Sequence, residues 1–187
     1  MPAKACSLNT IFLAAIAEFE RYAFIAGRMP ALHIFMNEQI TTRFACSSDV
    51  DSLIAFNQAM ALETEGKQLD AEILSAGVSA VFADEKKGFY VVAESGGQIV
   101  GGLMITFEWS DWRNAWFWWI QSVYILPEAR GKKIYSMLYD FVRERAAAQK
   151  NVCGFRLYVE TENSHAQAVY EKVGMESSHY LMYEHSL

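Results

Sequence analysis

The seven residues PEARGKK, positions 127–133, join an alternating, β-branched stretch to one with apolar residues at helical spacing. Pro127 cannot continue a ladder, so the strand ends near Leu126. Gly131 supplies turn dihedrals and lets a ligand approach the backbone. A helix then begins near Lys132. Its first N–H groups have no partner within the helix, and its dipole is positive there, so an anion such as a phosphate is stabilised at that end. Arg130, Lys132 and Lys133 add positive charge that the dipole alone disfavours. An anion seated over Arg130, Gly131, Lys132, Lys133, Ile134 and Tyr135 would resolve that conflict. An ordinary helix start whose basic residues face water fits the same letters.

Two other stretches carry reactive side chains. In TENSHAQAVYEKVGM, Asn163 or Ser164 caps a short helix, Gly174 closes it, and Tyr170 places a phenol four residues after Ala166. On spacing alone that phenol is a proton donor or a core tyrosine. In TFEWSDWRNAWFWWIQ, all five tryptophans of the chain fall between 109 and 119. Glu108 and Asp111 stand with Trp109 and Trp112 around a turn, a combination that attracts an ammonium group. Core packing accounts for most of these tryptophans equally well. Gln121 can orient a water or a substrate but cannot accept a proton. Cys6, Cys46 and Cys153 are widely spaced, and neither they nor the four histidines have metal-ligand spacing.

These groups need a scaffold, and the pattern supplies one. Strands are expected at 40–45, 88–94, 98–109, 115–125, 154–160 and, as the last, SHYLMYE at 178–184. Helices are expected at 49–65, capped by Ser47 or Ser48, at 70–83 with an interruption at Gly77, at 132–150 and at 164–173. Ser95-Gly96-Gly97 is a hairpin turn. The order gives antiparallel hairpins followed by one βαβ crossover in a mixed α/β domain. Trp116 and Trp118 share one face of their strand and Phe117 and Trp119 the other, so helices are expected over both faces.

Residues 1–35 read differently from the rest, as a helical extension or as a start assigned too early, with the domain itself at 36–187. With 187 residues and 52% hydrophobic composition, the chain has enough apolar surface for one core. A net charge of −6 argues against a general nucleic-acid binder. No run reaches the length of a membrane span, and the apolar run IFLAAIA is too short and too quickly followed by charge for a secretory signal. A cytoplasmic protein with no metal, no nucleic acid and no membrane partner is the expectation. A homodimer is left open.

Taken in order over residues 40–184, YILPEARGKKIYSMLYDFV and RLYVETENSHAQAVYEKVGM resemble the GCN5-related N-acetyltransferase (GNAT) superfamily. In that family the first stretch is the pyrophosphate loop for acetyl-coenzyme A, with the pattern Arg/Gln-x-x-Gly-x-Gly/Ala. Arg130 matches its first position and Gly131 a frequent second one. Lys133 stands where glycine is usual, and Tyr135 where glycine or alanine is usual. The resemblance implies a central, mostly antiparallel twisted sheet flanked by helices, with strands splayed into a V at the cofactor site. It implies acetyl-coenzyme A as co-substrate and acetyl transfer to a small-molecule or peptidyl primary amine by direct attack in a ternary complex. Val123 and Ile125 become main-chain partners of the cofactor arm, and Asn163 contacts that arm. Tyr170 protonates the departing thiolate, and Glu108, Asp111 and Gln121 are substrate-side candidates. Relatives often carry a basic carboxylate where this chain reads WWIQSVY, so a non-catalytic acyl-coenzyme A-binding or regulatory domain is the alternative. Deleting residues 1–35 is expected to leave melting temperature and acetyl-coenzyme A affinity nearly unchanged. Thermal denaturation and calorimetry of the full and shortened chains check this, and a large loss of either would assign the segment to the core or to an interface.

Overall fold

The computed structural model describes residues 39–185; the expected extension at 1–35 lies outside them. The elements run β1 (Thr41–Phe44), a short 3-10 turn, α1 (Val50–Glu65), α2 (Ala71–Ala83), β2 (Phe89–Ser95), β3 (Gln98–Ser110), β4 (Ala115–Ile125), a second 3-10 turn (Pro127–Ala129), α3 (Ile134–Ala148), β5 (Val152–Leu157) and α4 (Ser164–Lys172). The five strands form one sheet in sequence order. β1 to β4 pair antiparallel, and β5 lies parallel to β4 after the α3 crossover. This is the mixed α/β architecture expected above. Among the described residues, no helix is long and apolar enough to cross a membrane.

Alternation along the strands divides the core in two. Val91, Ala93, Leu103, Ile105, Trp118 and Ile120 meet Ile134, Leu138 and Val142 of α3. Tyr90 and Val92, on the opposite face of β2, meet Leu53 of α1 and Val78 and Val81 of α2. Each aliphatic side chain fully buried in these layers is worth about 1.5–3 kcal/mol. Gly96 and Gly97 both have positive φ, as the two-residue hairpin turn between β2 and β3 requires.

Several local expectations give way. Neither Ser47 nor Ser48 caps α1. The Asp49 carboxylate reaches back to accept the Cys46 N–H at 2.8 Å. α2 passes Gly77 without a break, held at its start by Asp70, whose Oδ1 accepts from the N–H groups of Glu72 and Ile73. α3 begins at Ile134 rather than Lys132, because Lys133 adopts a left-handed conformation (φ 60°) that no helix interior accepts. The last expected strand does not form. Residues 178–184 pair with nothing in the sheet, and Tyr180, Leu181, Met182 and Tyr183 are 55–87% exposed. Strand preference reflects packing on a pleated surface, and an alternating aromatic segment without a ladder partner has no surface to pack on. The second face of β4 also differs from expectation at its first half. Phe117 is covered by guanidinium groups, Arg156 at 3.8 Å and Arg113 at 5.1 Å from the ring centroid, rather than by a helix.

Asp49 binds the start of α1 to the edge of the sheet. It is 4% exposed and takes Arg43 Nη1 at 2.7 Å and Nη2 at 3.0 Å, while Arg43 Nε donates to Glu94 of β2 at 3.0 Å. Burial pushes the Asp49 carboxyl up, but hydrogen bonds from Arg43 and the Cys46 N–H outweigh it and hold it below its ordinary value. The stabilisation is therefore present above pH 3.8 and lost as pH falls through the folded value. Asp49→Asn is expected to cost about 2 kcal/mol at pH 7, less than a fully buried pair because Arg43 is partly exposed. The gap to the wild type should narrow as pH falls below 3.8 through the lowered folded value; urea denaturation across a pH series from 7 downward measures both effects.

Candidate active site

β4 and β5 pair from Trp116↔Val152 to Ile120↔Leu157 and no further, although β4 continues to Ile125. Just past that point β4 bulges. Gly102 faces Tyr124 and Met104 faces Gln121, so Ser122 and Val123 together oppose Leu103. Ser122 has φ 50°, unusual for a residue with a side chain. The bulge reverses the strand's facing: Ile120 packs towards α3, whereas Tyr124 packs against Phe56 of α1. A bulge leaves main-chain groups outside the ladder, and here they open onto the gap between the strands. Val123 and Ile125, the expected main-chain partners, lie in this released segment. Sequence reasoning passed over Ser122, and nothing in the residue pattern marks its backbone conformation.

The loop after β4 turns through Pro127–Ala129 and then through two left-handed residues, Gly131 (φ 79°) and Lys133 (φ 60°), into α3. The N–H groups of Gly131, Lys132 and Lys133 make no turn or cap hydrogen bond among the described residues, and the first bond of α3 joins Met137 N–H to the Lys133 carbonyl. The loop thus presents main-chain donors at the positive end of a helix. Lys132 and Lys133 are exposed beside them, whereas the side chains of Ile134 and Tyr135 turn inward and are buried.

Arg130 has a different place from its neighbours. Its Nη2 meets Glu63 Oε2 of α1 at 2.6 Å and its Nε donates to the Ile125 carbonyl at 3.0 Å. The Tyr124 hydroxyl donates to the other Glu63 oxygen at 3.1 Å. Hydrogen bonding from Arg130 holds the Glu63 carboxyl below its ordinary value. Arg130 therefore clamps the loop to α1 and to the end of β4.

The opposite wall is α4. Asn163 caps it, its Oδ1 accepting the Ala166 N–H at 3.0 Å, and Gln167 Nε2 donates to the carbonyls of Glu160 and Thr161 at 3.0 Å each. Gly174, with φ 87°, closes the helix. Tyr170 is half-buried, and its ring lies edge-on to Tyr135 with centroids 5.2 Å apart. Burial pushes its phenol up, so it keeps its proton through neutral pH. The structure thus gathers the loop, the first turn of α3 and Tyr170.

Of the substrate-side candidates, Gln121 borders the bulge, and Glu108 and Asp111 lie further along the sheet. Gln121 donates to Thr106 Oγ1 at 2.6 Å. Glu108 is held by Arg156 at 2.6 Å and by the Trp119 indole at 2.5 Å. Asp111 accepts the Trp112 N–H in the β3–β4 turn. That turn is separated from Ile125 by the length of β4, about 33 Å at the usual strand rise. Among the described residues no group of His, Cys, Asp and Glu is arranged to hold a metal.

Residues 53–175 match the Acetyltransferase (GNAT) family. Among solved structures, the chain is similar to a possible acetyltransferase from Clostridium difficile 630, with 44% identity over 80% of this chain and 99% of that one and a TM-score of 0.74. It shares its fold with a predicted acetyltransferase with acetyl-CoA from Clostridium acetobutylicum (19% identity, 79% and 96% covered, TM-score 0.65). The fold is also that of an aminoglycoside N-acetyltransferase in complex with CoA (12% identity, 82% and 98% covered, TM-score 0.66). No curated protein matches the chain.

The two left-handed residues make opposite predictions. Gly131→Pro demands a φ near −65° where the chain has 79°, and it removes a loop N–H, so coenzyme A binding should be lost. Lys133→Gly relieves a left-handed residue and should raise stability by up to about 1 kcal/mol without weakening binding. Thermal melts and calorimetry with coenzyme A check both, and a large loss of affinity in Lys133→Gly would assign the ligand contact to the lysine side chain.

Proposed function

The chain belongs to the acetyltransferase (GNAT) family, and we propose that it transfers an acetyl group from acetyl-coenzyme A to a primary amine by direct attack in a ternary complex. The observation that carries this reading is the released end of β4, bulged at Ser122 and followed at once by the left-handed turn at the start of α3. A thioester arm needs main-chain donors along its length and an anion seat at its far end, and this segment offers both in sequence. Acetyl-coenzyme A, when bound, supplies the activated acyl group.

The loop N–H groups of residues 131–135 hold the pyrophosphate, helped by Lys132 and Lys133. The main chain of Val123 and the Ile125 N–H align the arm, while the Ile125 carbonyl is held by Arg130, and the bulge at Ser122 turns donors towards the oxyanion that forms as the amine attacks. A C–N bond forms and the C–S bond breaks. Tyr170 gives its proton to the leaving sulfur. β4 carries no carboxylate from Phe117 to Ile125, so the attacking nitrogen releases its proton to water in the cleft, and the Tyr170 phenolate regains one from solvent. The site is electrically suited to this: a phenol pushed up by burial stays protonated until sulfur departs.

A panel of amines tested with acetyl-coenzyme A, following thiol release, examines the activity. Binding of coenzyme A without turnover of any amine would favour the non-catalytic reading. For the acid role, Tyr170→Phe keeps the ring and its contact with Tyr135. Folding and cofactor affinity should hardly change, while the single-turnover rate falls by roughly 10- to 1,000-fold, in the range of positioned acid–base groups. An unchanged single-turnover rate would remove Tyr170 from the chemistry and leave it as a packing residue of α4.

A further inference from the structure

Trp119 and Tyr158 flank the fork in the sheet. Trp119 comes one residue before Ile120 and Tyr158 one after Leu157, the last pair that joins β4 to β5. Their ring centroids lie 4.4 Å apart, with the planes tilted by 35°. Both rings stand outside the two core layers. Tyr158 is 57% exposed and Trp119 is half-buried, so their contact leaves ring surface open to solvent. Alternation sets the face they occupy. Trp118 and Ile120 point to α3, and Val169 and Tyr170 of α4 pack against that same layer. Trp119 points the opposite way, with Glu108, whose carboxylate takes the indole N–H, and Arg156, whose guanidinium lies 5.8 Å from the indole centroid.

The anion loop runs into α3, and Tyr170 belongs to the layer under α3, so a coenzyme arm comes to the gap from that face. An acceptor then enters from the other face, past Trp119 and Tyr158. The groups it meets there decide its class. Glu108 is already bonded to Arg156 at 2.6 Å and to the Trp119 indole. Glu63 is held by Arg130 and Tyr124. Glu160, two residues beyond Tyr158, is exposed. Among the described residues, no carboxylate is thus held free at the pair for an ammonium group, and Arg156 sets a positive charge over the indole that a second cation would meet. What remains is open aromatic surface. A flat apolar group gains most from it, through water removed on both sides and through offset or edge contact between rings. Gln121 follows on the same face of β4, opposite Met104, with its amide nitrogen donating to Thr106. Its amide oxygen is an acceptor for an N–H of the attacking amine.

We propose that the amine acceptor carries an aromatic or flat apolar group, which seats against Trp119 and Tyr158 while its amino group enters the gap beside Gln121. The assignment rests on the acetyl-transfer reading of the site and adds the class of acceptor. The seat binds and orients the amine and takes no part in the exchange of bonds. A free arylalkylamine and the amino terminus of a peptide that begins with an aromatic residue both carry this chemistry.

The test is kcat/KM on the full chain, with acetyl-coenzyme A and a short panel of amines: 2-phenylethylamine, phenylalanyl-glycinamide, propylamine and spermidine. The two aryl amines should exceed propylamine by about 10- to 100-fold, the worth of seating one ring, and spermidine should not exceed propylamine. The faster of the two aryl amines then tells a small-molecule acceptor from a peptidyl one. Tyr158→Ala should cut the ratio of 2-phenylethylamine to propylamine by about 5- to 10-fold, and Tyr158→Phe, which keeps the ring, should preserve it. The ratio is taken within one protein preparation, so a loss of folded protein cancels from it, and a merely structural role would leave it unmoved. Spermidine or propylamine used as well as the aryl amines would overturn the proposal. So would an unaltered ratio in Tyr158→Ala. Wild-type protein that binds coenzyme A but acetylates no amine of the panel would overturn the acetyl-transfer reading, and the proposal with it, an outcome distinct from the other two.

Discussion

Strand β4 has two hydrogen-bonded neighbours as far as Ile120 and one beyond it. That single change of partnership sets the rest of the site. The first half of β4 is locked between β3 and β5 and fixes where the sheet lies. The second half keeps β3 on one side and offers its other main-chain edge to whatever enters the gap. The bulge at Ser122 falls within the released half, where losing ladder bonds to β5 carries no further cost. The backbone groups along that edge are ones the fold has already left without ladder partners.

The clamp at Arg130 follows from the same release. A strand end paired on one side and followed by a glycine-containing loop needs another anchor. Glu63 of α1 supplies it through Arg130 and Tyr124, while Arg130 Nε takes the last carbonyl of β4. These groups are about half exposed, so the pair adds little to global stability. Its effect is geometric: it fixes the direction in which the loop enters α3, and so where the free N–H groups point. Ile134 and Leu138 then seat α3 in the core with almost no exposed surface.

Much of the fold was legible because alternation and punctuation are strong in this chain. The β2–β3 turn at Gly96-Gly97, the end of β4 at Pro127 and the close of α4 at Gly174 all follow from glycine and proline. The basic loop and the Asn163 cap were legible for the same reason. Three features were not. Ser122 adopts a positive φ imposed by register between neighbouring strands, which local sequence does not encode. The tie of Arg130 to Glu63 was not legible, since Glu63 lies 67 positions earlier in the chain and only the packing of α1 on β4 brings them together. Residues 178–184 carry the pattern of a strand, but the sheet provides them no neighbour, and no local propensity can supply one.

The distribution of aromatic side chains has an optical consequence. Every tryptophan lies between positions 109 and 119, on the β3–β4 hairpin and the half of β4 that stays paired. Trp109 and Trp116 are in edge contact, Trp118 is buried against Phe89 and Phe155, and Trp112 stands 88% exposed at the turn. The loop contains no tryptophan, and α3 and α4 contain tyrosine but no tryptophan. Intrinsic indole emission therefore watches the end of the sheet remote from the loop. Trp119, its ring centroid 4.4 Å from that of Tyr158 and tilted by 35° where β4 and β5 part, is the one indole seated at the margin of the gap. Its signal is superimposed on that of four others, so quenching by an entering ligand is confined to a minor part of the spectrum.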